Sequence, residues 1–118
     1  MKKSQVKNLD KLWQQVIVAQ DGKCLKCGTT QRLSAHHIFS RKNRSTRWDT
    51  NNGVCLCLAH HIFWAHKSPT DFTYWLEGIK GRPFLKRLRT KHNTIVKNQD
   101  YGKIKAKLEQ EILKWEQK

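Results

Sequence analysis

Residues 24–61 read CLKCGTTQRLSAHHIFSRKNRSTRWDTNNGVCLCLAHH and contain two pairs of metal-ligand residues at the same spacing, Cys24-x-x-Cys27 and Cys57-x-x-His60. A zinc ion takes four thiolate or imidazole ligands in a tetrahedral arrangement, so two distant pairs can complete one site. A single Cys-x-x-Cys is also typical of a redox dithiol, but the second pair favours zinc. The spacing therefore predicts a structural Cys₃His zinc site formed by Cys24, Cys27, Cys57 and His60.

The residues between and after these pairs predict two strands followed by a helix. Residues 32–39 and the β-branched and apolar residues 54–57 suit short strands, and Asn51-Asn52-Gly53 is a turn signal before the second strand. Residues 58–66 predict a compact helix, whereas the basic residues 41–47 have no periodicity and predict a loop. Cys55, on the second strand, is either a core thiol or a substitute ligand, and we interpret it as core.

Helices are predicted on both sides of this segment. Apolar residues from Leu9 to Ile17 recur at helical spacing, and this helix is predicted to end at Asp21-Gly22. Ser68-Pro69-x-Asp71 predicts the start of a helix that ends at Gly78 and Gly81, followed by a short basic helix at 83–91 and a last helix from about 101 to 115. We expect one α+β domain over 1–118, with a core at about 22–67 and a helical extension at about 68–118.

Charge indicates the kind of partner. The chain has 24 lysine and arginine residues against 9 acidic residues, a formal charge of +15. Such an excess favours a polyanionic partner, most commonly nucleic acid, although a generally soluble basic protein is the alternative. No apolar run reaches the length of a membrane span, and the first residues do not fit a signal peptide. We therefore expect no membrane partner, a cytoplasmic protein, and cysteines that bind metal rather than form disulfides.

Two adjacent histidines lie in the first predicted strand, within Ala35-His36-His37-Ile38. They are followed by Asn52-Gly53 and by Cys57-x-x-His60-His61. This order resembles the HNH endonuclease family, whose ββα-metal motif combines a histidine-rich strand, a central asparagine and a helical histidine. The resemblance covers about 24–66. Zinc-bearing members of the family usually have cysteine where His60 stands, and histidine is an equally competent zinc ligand.

The resemblance implies a role for each matching residue. His37 matches the general base, His36 and His61 match ligands of one catalytic metal, and Asn52 matches the asparagine that braces the loop and orients the base. Adjacent strand residues face opposite ways, so His36 and His37 can share a site only where the strand ends or bends. His66 is a further candidate metal ligand, although five residues from His61 it lies well off the same face of an α-helix.

The implied activity is metal-dependent hydrolysis of DNA phosphodiester bonds, leaving 5′-phosphate and 3′-hydroxyl ends. The catalytic ion would be Mg²⁺, Mn²⁺, Ni²⁺, Co²⁺ or Zn²⁺, and imidazole ligands favour the softer ions. A basic loop is expected to bind DNA, mainly through its phosphates, with Arg41, Lys42, Arg44 and Arg47. A second basic segment, at 80–91, is expected to help hold the same substrate. Trp48 is a candidate for base stacking, and His92 is expected to be solvated.

The resemblance is also to the small HNH nucleases of bacteriophages, for which the compartment would be the host cell cytoplasm. A junction-resolving recombination endonuclease of the same fold and a general nicking enzyme are not separated by these residues. A non-catalytic zinc-containing DNA-binding protein is a second class, and an RNA-binding or ribosome-associated zinc protein is a third. The apolar stripe of the last helix can pair two chains or pack on its own core, so both monomer and homodimer stay open.

Overall fold

A two-stranded antiparallel hairpin lies at the centre of the computed structural model, which describes residues 1–117. Around the hairpin are five α-helices and one π-helix among the described residues. The elements follow the order α1 (Lys3–Asp21), β1 (Leu33–His37), α2 (Arg44–Arg47), β2 (Gly53–Cys57), the π-helix (Ala59–Ala65), α3 (Pro69–Lys80), α4 (Arg82–His92) and α5 (Tyr101–Glu116). This confirms a fold of mixed helix and antiparallel sheet. No helix within 1–117 is long and apolar enough to cross a membrane.

The hairpin separates two hydrophobic clusters. Ala35 pairs with Cys55 and His36 with Val54 in the antiparallel register. Because side chains alternate along a strand, Ala35 and Cys55 pack on one side and Val54 on the other. The first cluster, towards α1 and α5, includes Leu9, Trp13, Val16, Ile17, Ala35, Cys55 and Leu108. The second, towards the π-helix and α3, includes Cys24, Val54, Leu56, Ala65, Phe72 and Leu76.

The helix boundaries agree with the sequence in part. Helix α1 ends at Gly22, whose φ of 72° is the left-handed conformation that glycine tolerates. Helix α3 begins at Pro69, but the Ser68 side chain makes no capping hydrogen bond. The prediction that Gly78 helps to end this helix was wrong, because α3 continues to Lys80 and Gly81 follows it.

The basic segment 41–47 is also more ordered than predicted. Its last four residues form the helical turn α2 instead of a loop. The Ser45 hydroxyl donates to the His92 carbonyl over 2.8 Å, and Thr46 Oγ1 lies 2.9 Å from His92 Nδ1. These bonds fasten the turn to the end of α4. The expectation of a solvated His92 was therefore wrong, because local sequence spacing cannot reveal a contact made across 46 residues.

The apolar stripe of α5 packs on the chain's own core. Leu108 is buried in the first cluster, and Ile104, Ile112 and Trp115 pack against its edge. Cys55 lies in the same cluster and is fully buried, as expected of a core thiol. Burial and, to a smaller extent, the nearby Asp21 carboxylate raise the pKa of Cys55 to about 12, so this thiol stays protonated.

Candidate metal centre and histidine cleft

Cys24, Cys27, Cys57 and His60 meet as the sequence predicted, with their ligand atoms within 4.8 Å of one another. The Cys27 and Cys57 sulfurs are 3.9 Å apart, and His60 Nδ1 lies 3.7 Å from Cys24 Sγ and 3.2 Å from Cys57 Sγ. A tetrahedral zinc ion with bonds of about 2.3 Å to sulfur and 2.0 Å to nitrogen spaces its ligand atoms about 3.5–3.8 Å apart. The group therefore fits a metal ion such as zinc.

The knuckle that carries the first two cysteines is fixed by backbone hydrogen bonds. Cys24 N donates to the Thr29 carbonyl over 2.9 Å, and Gly28 N donates to the Cys24 carbonyl over 2.8 Å. Gly28 has a φ of 81°, a conformation that a residue with a side chain adopts only with strain. Burial alone would raise the pKa of Cys24, but the backbone N–H groups of Cys57, Cys27 and Lys26 outweigh it and lower the pKa to about 6. Cys24 is thus prepared to bind metal as a thiolate.

A second group of ligands, His36, His61 and His66, has its nitrogen atoms within 4.8 Å of one another. The His36 ring stands edge-on to both partners at centroid distances of 5.0 Å. Burial, together with the positive charges that His61 and His66 can carry, lowers the pKa of His36 to about 4. Since metals bind neutral imidazole, these rings are suited to hold a divalent ion at neutral pH.

The π-helix explains why His66 belongs to this group. His61 and His66 stack with their centroids 4.8 Å apart, and His66 N donates to the His61 carbonyl over 3.2 Å. That bond spans five residues, the repeat of a π-helix. The argument that five residues carry His66 off the face of His61 assumed an α-helix and was wrong here. His60 and His61, being adjacent, face different groups: His60 the cysteines and His61 the other histidines.

His37 lies next to this group but on the opposite face of β1. Its ring stacks on Trp13 at a centroid distance of 3.8 Å and an angle of 7°. His37 Nε2 lies 2.9 Å from the Arg47 carbonyl, which can only accept, so Nε2 carries the proton and Nδ1 keeps its lone pair. Burial lowers the pKa of His37, which keeps the ring neutral at pH 7.

One open cleft joins His37 to the three clustered histidines. It has a volume of about 440 Å³, and its lining includes Trp13, Gln14 and Arg41 together with all four rings. The two faces of β1 meet here because His36 and His37 are the last residues of the strand. Side chains alternate along a strand, so His36 and His37 could not line one cleft in the middle of β1, but they can at its end.

Asn52 is fully buried behind the cleft and braces the chain on either side of the basic loop. Its Nδ2 donates to the carbonyls of Phe39 and Thr46 over 3.1 and 3.0 Å, and its Oδ1 accepts from Phe39 N over 2.8 Å. These bonds hold the segment from Phe39 to Thr46, which leads directly to the Arg47 carbonyl on His37. Asn52 therefore acts on His37 through this segment.

Asp10 is a residue of the cleft that the sequence did not indicate. Its carboxylate accepts from Arg47 Nε and Nη2 over 2.9 and 2.7 Å and from Trp48 Nε1 over 2.8 Å. Burial alone would raise the pKa of Asp10, but the hydrogen bonds from Arg47 and Trp48 outweigh it and lower the pKa. Trp48 is 6% exposed and is held in the core, so the suggestion that it stacks on bases was wrong.

The predicted DNA-binding residues have different environments. Arg41 lies at the cleft, and Arg41, Lys42 and Arg44 are exposed. Arg47 instead pairs with Asp10 and presents its carbonyl to His37.

No family model, curated protein or solved structure matches this chain.

Proposed function

We propose that this protein is a metal-dependent DNA endonuclease of the HNH type. The observation that carries the proposal is the cleft itself, in which three imidazoles with ligand atoms within 4.8 Å lie beside a fourth, His37, of fixed tautomer. A hydrolase can cleave a phosphodiester with a neutral base and a divalent cation, and these two groups can provide both. The Cys₃His group, Cys24, Cys27, Cys57 and His60, serves as the structural zinc site.

His37 is the general base in this proposal. Because Nε2 donates to the Arg47 carbonyl, Nδ1 is the atom that removes a proton from water. The oxygen of that water forms the new bond to phosphorus while the bond from phosphorus to the 3′ oxygen breaks, and the leaving oxygen takes up a proton. Stacking on Trp13 and the Asn52-braced loop keep the ring in position during the reaction.

His36, His61 and His66 hold the catalytic ion in this proposal. A divalent ion held by these residues would supply positive charge that stabilises the transition state of phosphodiester hydrolysis. An all-imidazole set favours Mn²⁺, Co²⁺, Ni²⁺ or Zn²⁺, and Mg²⁺ is the less suited candidate because it prefers oxygen ligands. Ser34 Oγ lies 2.7 Å from His61 Nδ1 and so orients that ring towards its neighbours.

The charge of +15 supports DNA as the partner. Arg41 lines the cleft and would bind a phosphate there, and the exposed Lys42 and Arg44 follow it in the chain as further cations. Contacts to phosphates do not distinguish one base from another, so cleavage is expected to depend weakly on DNA sequence. The four cysteines are free, which fits the reducing cytoplasm expected for this protein.

The test is cleavage of supercoiled plasmid by zinc-loaded protein, with and without added Mn²⁺. We expect nicking that requires the added ion and that falls by a factor of roughly 10²–10⁴ in His37→Ala, with zinc content and DNA affinity close to the parent. The matched variant His61→Ala should also stop cleavage, with weaker binding of Mn²⁺. A His37→Ala protein that cuts at the parent rate would remove the base from the proposal. A parent that binds DNA but does not cut it with any of the divalent ions would favour the non-catalytic DNA-binding class.

A further inference from the structure

A second groove lies between α3 and α4 and has a volume of about 360 Å³. This is within the range of roughly 300–1,000 Å³ that is typical of small-ligand pockets. Apolar side chains provide much of its lining: Ile38, Phe39, Phe72, Leu76 and Leu85. The proposed reaction does not use any of these residues, so the groove calls for a separate occupant.

The groove adjoins the histidine cleft. Ile38 directly follows His37 in the chain. Phe72 contributes to the groove, and its ring is also 4.7 Å from the His36 ring, which lines the cleft. A contact between two rings thus separates the groove from the proposed metal ligands. A strand with a phosphate in the cleft would therefore have a neighbouring nucleotide close to the groove.

Positive charge lines one edge of the groove. Arg82, Lys86 and Arg89 are spaced four and three residues apart, so they project from one side of α4. Arg82 pairs with Glu77, which also lines the groove. Lys86 and Arg89 are exposed, and neither forms an ion pair with any residue in 1–117. An apolar lining beside two available cations matches a ligand that is flat and apolar at one end and anionic at the other.

We propose that this groove binds one unpaired nucleotide of the DNA substrate, with the base against the apolar residues and its phosphate at Lys86 and Arg89. The inference rests on the proposed function and deepens it by naming the substrate class: DNA with a bulged, flapped or branched nucleotide near the cut. Bases within a duplex are stacked and cannot offer their faces, whereas an unpaired base costs little to extrude. The apolar lining predicts little preference for base identity.

The experiment compares two duplexes of equal length, one fully paired and one with a single bulged 2-aminopurine. Binding is measured with zinc-loaded parent protein and no added catalytic ion. We expect the bulged duplex to bind roughly tenfold more tightly, in line with the contribution of one base stacked on aromatic groups. The 2-aminopurine fluorescence should change on binding, because its environment becomes apolar.

Two matched pairs of variants locate the effect. Thr73→Phe fills the groove from α3, whereas Thr70→Phe adds the same ring at an exposed position of α3 that does not line the groove. Lys86→Gln with Arg89→Gln removes two charges from the groove, whereas Arg87→Gln with Lys107→Gln removes two exposed charges from a different cavity. Only Thr73→Phe and the Lys86 and Arg89 pair should reduce the tenfold preference towards one.

Equal binding of both duplexes by the parent, or a preference that survives Thr73→Phe, would overturn the inference. Self-association of the parent that Thr73→Phe abolishes would assign the groove to a second copy of the chain and would also overturn it. Plasmid cleavage without a bulge preference removes this inference and leaves the nuclease in place. A bulge preference without plasmid cleavage supports binding of the unpaired nucleotide in the groove and contradicts the proposed nuclease activity.

Discussion

His61 and His66 stack with their planes 25° apart although five residues separate them, because the helix that carries them is a π-helix. On an α-helix the same separation rotates two side chains by about 140°. The third imidazole of the proposed catalytic site therefore depends on the helix type. The His60 ligand of the other site lies in the same helix, so both sites share this one element.

Removing one residue from the π-helix should preserve the stack. Deletion of Phe63, which is 65% exposed, leaves His61 and His66 four residues apart, and this spacing shares a face in an α-helix. Insertion of alanine after Phe63 puts them six apart, off the same face in either helix. We expect Mn²⁺ affinity, measured by calorimetry on zinc-loaded protein, to survive the deletion and to be lost in the insertion. Mn²⁺ affinity that survives in both variants would show that the site does not depend on this spacing.

Zinc should be required for folding. Replacing Cys24 or Cys57 with serine should unfold or severely destabilise the protein, since metal binding in small sites supplies much of the folding free energy. Cys55→Ala is the matched control, because Cys55 is buried outside the ligand group; it should cost about 1 kcal/mol and keep one zinc per chain. Elemental analysis that finds folded protein without zinc would contradict this expectation.

The Asp10 carboxylate should stabilise the protein above the acid range. We expect Asp10→Asn to lower the free energy of unfolding by about 1 kcal/mol at pH 7, a figure discounted for the partial exposure of the pair with Arg47. Because the folded-state pKa of Asp10 is below its ordinary value, this contribution is present above the ordinary value and is lost as pH falls through the folded pKa. Urea denaturation of parent and variant at pH 7 and pH 3 measures the difference, which should shrink at the lower pH. A gap that stays constant would assign the stability to a group other than this carboxyl.

Neutralising Arg41, Lys42 and Arg44 together should weaken binding to all DNA sequences about equally and flatten its salt dependence. The reason is that exposed cations displace counterions from phosphates without reading bases. A variant with Lys3, Lys7 and Lys97 neutralised has the same net charge and removes exposed residues of other segments. It should lose less affinity. If the Arg41 variant instead kept its salt slope and lost one sequence preference, these residues would be reading base edges.

Gly53→Ala should disturb the base as well as the core. An added Cβ would lie 2.6 Å from Trp13 Cζ2 and 2.7 Å from two side-chain carbons of Ile17. Trp13 stacks on His37, so its displacement should reduce cleavage in addition to costing about 1–3 kcal/mol of stability. Gly78→Ala is the control, because a Cβ there meets nothing within 4 Å and should stabilise helix α3 by up to about 1 kcal/mol. Unchanged unfolding and activity in Gly53→Ala would mean that Trp13 has room to move.

Local pattern predicted those parts of the fold that depend on neighbouring residues. The matched spacing of Cys24-x-x-Cys27 and Cys57-x-x-His60 indicated the metal group, and strand propensity indicated both strands. The assignment of these elements to a nuclease remains a proposal. The helix type at His66 could not be predicted, because an apolar segment of this length suits either helix and the difference lies in whether each backbone hydrogen bond spans four or five residues.

Contacts between distant segments were also beyond the sequence. Asp10 and Arg47 are 37 residues apart, and nothing in either segment marks them as partners. One feature of the sequence could have indicated Asp10. The chain has only 9 acidic residues, and Asp10 lies one helical turn before the buried Trp13. His92 was missed for the same reason, since its partners Ser45 and Thr46 lie in α2, 46 or more residues away in the chain.

The hairpin lies between the two hydrophobic clusters, so the proposed enzyme can lose activity when either cluster unfolds. His37 rests on the side of α1 and α5, whereas His36, His61 and His66 are on the side of the cysteine group. Removal of zinc from the cysteine group by a chelator would first disorder His36, His61 and His66, which would hold the catalytic ion. Loosening of α1 and α5 would first disorder the proposed base, His37. Amide hydrogen exchange should therefore reveal two units with different opening free energies. The lifetime of activity would be set by the weaker unit, whatever the stability of the stronger one.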